Sequence, residues 1–422
     1  MDLEALEVAI RVAVHAAGAE VLEGLLRDVG VGRRDGPLGC SCGARMHSLG
    51  VRSKQVLTIL GPIVFTRSLF QCPSCGATRF PGDEALDIVD TSRSPGVRRQ
   101  VGRLGAKEPF REVAKDLKEL AAIPLSRKDA ERIAEAIGED TERWDKAGRD
   151  RLRFAEPPPP EAPKTIDTLY IEIDGTGVPM TQPEVAGRKG KQADGSAKTR
   201  EAKLGCVFTQ TAFDEKGRPI RDPASTSFTG AIETAAEFGW RIYAEAVRRG
   251  LFKAKRVVIL SDGAEWIRNI VETHFPWAIH IIDLYHAREH LVELCKLLFD
   301  RDLKCLNHYK DRWWDYLDDG NTEAIIEQAK GFLPDNPNAG KDARRAIGYF
   351  NNNSQRMRYA DFKKQGLFVG SGVVEAACKT VIGQRLKQSA MEWTVRGANA
   401  IIALRCVTAS GRIEDYWEQR AA

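Results

Sequence analysis

Asp174, Asp262, Glu375 and four cysteines are the residues whose types and settings could do chemistry in this chain. Asp174 ends the run YIEIDGTG, Tyr170 to Gly177, in which Leu169, Ile171 and Ile173 would fill one face of a strand while Tyr170, Glu172 and Asp174 share the other. A carboxylate carried by a strand end into a glycine turn is a place to hold a metal ion. The alternative is that Asp174 only opens a turn, since Asp-Gly is a common turn dipeptide. Asp262 repeats the setting after the β-branched run RVVIL, and Glu375 begins a helix after Gly370 and Gly372. Magnesium takes oxygen ligands and keeps waters, so carboxylates brought together suit phosphoryl transfer with one or two such ions. Asp283 and His286, in DLYH, lie at the end of another expected strand and are auxiliary candidates. A neutral imidazole suits magnesium poorly, which favours an orienting role, and for Asp283 the alternative is a helix cap.

Cys40 and Cys42 in GCSCGARM, and Cys72 and Cys75 in QCPSCGAT, are two cysteine pairs each followed by glycine. That is the knuckle pattern that folds thiolates around zinc. The intervening QVLTILGPIVFTRSLF alternates as a hairpin with Gly61 and Pro62 at its turn, so the pairs meet when the strands pair. The sequence thus predicts a zinc ribbon whose closed four-thiolate site is structural. His47 is the fallback ligand, because the first pair has a single spacer residue. Four free thiols, the alternative, would leave a short segment with little core.

These residues need elements to position them, and 422 residues with 43% hydrophobic composition supply more than one unit. Residues 1–35 read as a helix with Leu3, Leu6, Ile10, Val14 and Ala17 on one stripe, either a docking or dimer helix or one packed on its own domain. The ribbon occupies 36–90, a helical region 91–155, and a proline-rich linker 156–164. An α/β core follows over 165–294, then an all-helical insertion over 295–361, and the last part of the core over 362–422. Acidic residues among the first twenty argue against a secretion signal, and no apolar run approaches the ~18 to 20 residues of a membrane helix. Nine cysteines in such a chain read as reduced thiols, which points to a cytosol.

The formal charge of +4 is the small difference between 63 basic and 59 acidic residues, so a nucleic-acid footprint must come from local clustering. TSRSPGVRRQVGRLGAK holds Arg93, Arg98, Arg99, Arg103 and Lys107 without an acidic residue. Helix, short turn, helix follows, with Ser126 capping a second helix whose Arg127, Lys128 and Arg132 would enter a major groove. Asp129, Glu131 and Glu135 on that helix count against this, and helical hairpins are common without DNA. Beside Glu375, the residues Lys379, Arg385, Lys387 and Arg396 suit phosphate contacts and Trp393 a base stack, or else core packing. The basic loop from Gly187 to Arg200 would be solvated alone and clamp a backbone when DNA is bound.

Three strands, then helix, strand, helix, strand and helix, is the element order of the ribonuclease H-like fold, in which Asp174 and Asp262 end adjacent strands. The expected fold class is therefore α/β, a mixed sheet with flanking helices. The motifs IDGTGVP, KLGCVFTQT, SDGAEW, IDLYHAREHL and GSGVVEAACKTVIGQRLKQS, with RGANAIIALRC beyond, closely resemble the ISKra-type bacterial insertion-sequence transposases, relatives of the Mutator-like elements. The resemblance covers most of the chain beyond residue 165. It implies a DDE transposase with Asp174, Asp262 and Glu375 as its triad, two magnesium or manganese ions as cofactor, and double-stranded DNA as partner. Such an enzyme binds the terminal repeats of its element, cleaves there, and joins the 3′ ends to target DNA. It would act as a homodimer or higher oligomer in the bacterial cytoplasm, on the nucleoid when bound. Glu392 stands where the resemblance leads one to expect a basic residue. The rival readings are a catalytically idle DNA-binding regulator derived from a transposase, and a ribonuclease H-like nuclease that cuts without joining.

Overall fold

The computed structural model describes residues 2–29, 32, 36, 38–154, 156, 163–300, 302–334 and 340–421. Most of the glycine-rich loop after residue 29, and residues 157–162 of the expected proline-rich linker, lie outside the described residues. The chain divides into two compact units, Met1–Glu139 with Trp417–Ala422, and Asp140–Tyr416.

In the first unit, helix α1 (Leu3–Val29) is followed by strands β1 (Arg45–Thr58) and β2 (Gly61–Gln71), which pair antiparallel as expected. The turn residues are Ile59 and Leu60, two positions earlier than Gly61 and Pro62, because Thr58 already pairs with Gly61 and its hydroxyl accepts the Leu60 N–H at 3.1 Å. Short strands Leu38–Gly39 and Thr78–Arg79 flank the hairpin and make a four-stranded sheet. Helix α1 docks on it through Ala19, Leu22 and Leu26, which pack against Val56, Ile63, Phe65 and Ile88. Glu23 of α1 also accepts the Val64 N–H at 2.6 Å.

Three helices follow, α2 (Pro95–Gly105), α3 (Phe110–Ala121) and α4 (Arg127–Arg153). The Ser126 hydroxyl accepts the Asp129 N–H at 3.0 Å, the cap read from the sequence. Helix α4 runs for 27 residues and continues into the second unit. There Glu142 pairs with Arg241 at 2.9 Å and Asp145 with Arg412 at 2.7 Å, so its far end is anchored by buried charge.

The second unit is mixed α/β. Strands β3 (Ile166–Pro179), β4 (Thr199–Gln210) and β5 (Ser227–Ala231) lead through α5 (Ala235–Arg248), β6 (Ala254–Ser261), α6 (Glu265–His274) and β7 (Ile279–Ile282) to α7 (Leu284–Phe299). The sheet order is β7-β6-β3-β4-β5, with β6 parallel to both its neighbours and the β3/β4 and β4/β5 pairs antiparallel. Leu169, Ile171 and Ile173 face one way, into a core with Phe238 and Ile242 of α5 and Ile267, Ile270 and Val271 of α6. Four helices, α8 (Leu303–Asp318), α9 (Thr322–Gly331), α10 (Lys341–Asn353) and α11 (Tyr359–Lys364), then follow. Helix α12 (Gly372–Ala377) packs on β3 and β4 and passes through a π-helical turn, Cys378–Gly383, before α13 (Val395–Ala409). The sheet is therefore covered on both faces.

Candidate functional site

Strand register explains how distant carboxylates meet. Leu260 of β6 is level with Glu172 of β3, and Ser261 is level with Ile282 of β7, so the next steps along the strands set Asp262 level with both Asp174 and Asp283. Neighbouring strands lie ~4.8 Å apart, which brings three carboxylates together across three adjacent strands. The N–H of Asp283 donates to the Ser261 carbonyl at 2.8 Å, extending the pairing to that point.

Each carboxylate is held by backbone. Asp174 accepts the Gly175 N–H at 2.7 Å, and Asp262 accepts the Ala264 N–H at 2.8 Å. Asp283 is fully buried and accepts the His286 N–H at 2.8 Å through one oxygen, so it does cap α7. Its other oxygen takes the N–H and the hydroxyl of Ser371, the latter at 2.9 Å. Ser371 precedes α12, and Glu375, one turn on, lies 3.4 Å from the Ser371 hydroxyl and 3.8 Å from Nδ1 of His286.

Electrostatics tie the residues together. Burial raises the Asp262 carboxyl, and the charge of Asp174 raises it further against the Ala264 N–H and His286. The hydrogen bond to Asp283 holds the His286 imidazole up at about 9, with the charges of Asp283, Asp262 and Glu375 adding to it and burial opposing. Burial works against the Asp283 carboxylate, but its bonds from His286 and Ser371 outweigh that and keep it low. A protonated His286 would offset the negative charge of this acidic cluster.

Among the described residues, Asp283, His286 and Glu375 form one of two groups whose ligand atoms lie within 4.8 Å of one another. This differs from the expected triad. Asp174 and Asp262 are electrostatic neighbours, yet the partners bonded or paired to Glu375 are Ser371 and His286, so the auxiliary pair sits at the centre of the cluster. The helical segment buttresses it, since the Tyr349 hydroxyl donates to the Asp262 carbonyl at 3.3 Å and the Tyr359 hydroxyl to the Ile282 carbonyl at 3.0 Å.

Glu172 is a functional candidate that sequence reasoning passed over. It is 1% exposed, and one oxygen accepts the Val374 N–H at 2.8 Å, one residue before Glu375. Burial pushes its carboxyl up to about 8, with the N–H groups of Val374 and Val373 opposing and the charge of Asp283 adding to the rise. Glu172 and Asp283 together take the first N–H groups of the segment that carries Glu375, so two buried acids fix where that side chain stands.

The second group is Cys40, Cys42, Cys72 and Cys75. Cys40 and Cys75 are 3.5 Å apart, as are Cys42 and Cys72. The two knuckles repeat one geometry, with Cys40 N–H donating to Ala44 and Cys72 N–H to Ala77, and with Gly43 and Gly76 at φ of 86° and 76°, where a side chain would be strained. The Cys42 N–H, and then the other thiols, hold Cys40 down at about 6. For Cys75 the Ala77 N–H favours the thiolate, but the three other sulfurs outweigh it and push the thiol up to about 12. Such a crowded set of donors suits a soft cation, and four thiolates can hold zinc. His47 is exposed, level with Gln71 on the hairpin, and stands outside this group.

The basic candidates divide by exposure. Arg99, Arg103, Arg127, Lys128, Arg132, Lys379, Lys387 and Arg396 are exposed. Lys128 is paired with Glu131 at 2.6 Å, and Lys387 donates to the Thr176 hydroxyl two residues beyond Asp174. Arg98, Arg385 and Trp393 are buried, Trp393 in the core packing that its sequence also allowed. Arg98 is 8% exposed and bonds Asp87 at 2.7 Å, an acid in a loop outside the basic run. Arg385 is fully buried 5.1 Å from the Trp393 ring centroid, and the indole N–H of Trp393 donates to the Leu386 carbonyl at 3.0 Å. Residues 187–200 close on themselves, with the Gly190 N–H bonded to the Gly195 carbonyl at 2.9 Å.

No helix among the described residues is long and apolar enough to cross a membrane. No curated protein matches the chain. Among solved structures it is similar to the Drosophila P element transposase strand transfer complex, at 11% identity and a TM-score of 0.24, over 78% of this chain and 83% of that one. Residues 233–420 match the model of an uncharacterised protein family, UPF0236.

Proposed function

We propose that Asp140–Tyr416 contains a ribonuclease H-like core that performs metal-dependent phosphoryl transfer on DNA, and that the chain is a DDE transposase. The observation that carries the reading is that Asp174, Asp262 and Asp283 lie on or just beyond three neighbouring parallel strands, level at Glu172 with Leu260 and at Ser261 with Ile282, and that Glu375 stands beside His286 at 3.8 Å. The mixed strand order agrees with the fold implied by the resemblance to ISKra-type transposases. The donor set is rich in carboxylate oxygen, which fits magnesium or manganese.

Asp174, Asp262 and Glu375 would hold two such ions, which when bound activate an attacking oxygen and stabilise a leaving one in an in-line displacement. Asp283 orients His286 and Ser371, and the His286 imidazolium offers positive charge to a phosphate oxygen at the same cluster. Lys387 and the exposed Lys379 and Arg396 offer further phosphate contacts. In the first unit, a structural zinc on Cys40, Cys42, Cys72 and Cys75 would brace a module whose exposed Arg99, Arg103, Arg127, Lys128 and Arg132 bind terminal-repeat DNA. Thiols kept reduced for zinc suit the cytoplasm.

The test uses the purified full chain, supercoiled DNA carrying the element's ends, and magnesium or a chelator. Magnesium-dependent cleavage followed by joining of 3′ ends to a second duplex is expected. Cleavage without joining would make it a nuclease, and tight end binding with neither would make it a regulator.

Glu172 gives a finer prediction. In Glu172→Gln the amide oxygen still accepts the Val374 N–H, whereas Glu172→Leu leaves it unpaired at a cost of ~1 to 3 kcal/mol. The Leu variant is expected to need at least ~10-fold more magnesium for half-maximal cleavage and the Gln variant to stay within ~3-fold of the parent, given that changes behind metal ligands cost ~10 to 100-fold. Equal loss in both variants would mean that the carboxyl group itself, and not the placement of α12, is what Glu172 supplies.

A further inference from the structure

The apolar stripe of α1 faces away from its own domain. Leu3, Leu6, Ile10, Val14, Val21 and Leu25 are 71%, 44%, 63%, 61%, 63% and 55% exposed, and Ala17 between them is exposed too. At 100° per residue these seven positions fall within about a third of the helix circumference. The opposite side carries Ala19, Leu22 and Leu26, which already dock on the hairpin. That side is docked only over the second half of the helix, Val8 and Val12 on it being 45% and 59% exposed, whereas the stripe is in solvent along its whole length.

We propose that this stripe is a seam between two copies of the chain, in which two α1 helices pack antiparallel about Val14. The stripe offers on the order of 700 Å² of apolar surface per chain, close to the ~800 Å² that each partner contributes to a stable interface. An antiparallel pair centred on Val14 sets Leu3 opposite Leu25 and opposes the two helix dipoles, which a parallel pair would align side by side.

The surface is independent of the catalytic reading, and its test needs no DNA. The full chain at tens of micromolar is expected to run as a dimer in light scattering, and the double variant Val14→Glu/Val21→Glu as a monomer, its dimer weakened about 100-fold or more. Both side chains are exposed, so helix content by circular dichroism should be unchanged. A monomeric parent, or a dimer that survives both glutamates, overturns the seam. Single-cysteine crosslinking reads the direction separately, with the parent's native thiols as background. Val14→Cys is expected to form a disulfide dimer on mild oxidation, Leu3→Cys alone none, and Leu3→Cys mixed with Leu25→Cys a crosslinked pair. Self-crosslinking of Leu3→Cys overturns the antiparallel arrangement.

Discussion

Asp262→Ala and Asp262→Asn are both expected to lose DNA cleavage by ~10³-fold or more, the equivalent of about 4 kcal/mol of transition-state stabilisation. Asp262 directly follows β6, whose Leu260 is level with Glu172 and whose Ser261 is level with Ile282, and its carboxyl is raised by burial and by the Asp174 charge. A group in that setting is an acceptor waiting for positive charge, so neutralising it removes what the site offers to a divalent ion. The Asn variant keeps the shape and an oxygen for the Ala264 N–H, so its loss would report charge and not the local fold. DNA affinity should hold or rise slightly in both, since a negative charge is removed beside the expected path of a phosphate. Equilibrium binding and single-turnover cleavage, measured on the same preparations, separate the two effects. Cleavage at the parent rate in either variant takes Asp262 out of the reaction and leaves the cluster of Asp283, His286 and Glu375 as the place to look.

Much of this site was legible because β-strands repeat every two residues and parallel neighbours keep level. The run through Leu169, Ile171 and Ile173 announced a buried face, and the structure packs those residues on α5 and α6. The same alternation hid Glu172. Polar residues on alternate positions read as a solvent face, but β3 is the central strand and α12 covers its other side, so Glu172 became a buried acid bonded to Val374. A carboxylate in the middle of a strand with a parallel neighbour was the available signal, since crossover helices cover such strands. Two basic candidates, Arg98 and Arg385, are buried for a related reason. Local composition marks Arg98 and Arg385 as positive, while exposure depends on Asp87 and Trp393, which reach them only through the fold. The placing of Asp283 and His286 at the heart of the cluster, and not beside it, follows from Ser371, whose role as a bridge between β7 and Glu375 has no mark in sequence.

Removal of zinc is expected to unfold one end of the first sheet and spare the other. Around the four cysteines the packed apolar residues are Leu38, Met46, Phe70 and Cys72, with Cys40 and Ala44 against them, which is too little to hold two knuckles closed. Structural zinc contributes ~10 to 16 kcal/mol of apparent free energy in small zinc-binding peptides at neutral pH, enough to decide whether such a segment folds. The far end of the hairpin has a separate core, in which Val56, Ile63 and Phe65 pack with Ala19, Leu22 and Leu26 of α1. Chelation should therefore raise amide exchange over residues 38–48 and 70–79, leave 56–65 protected, and leave the sheet around Asp174 unchanged. Cys72→Ser should do the same without a chelator, because it removes the one buried thiol of the four. A pure preparation that carries no zinc, yet keeps residues 38–48 protected, would show that paired knuckles and four thiols suffice without a metal, and the module's stability would have to be sought in the hairpin and α1 instead.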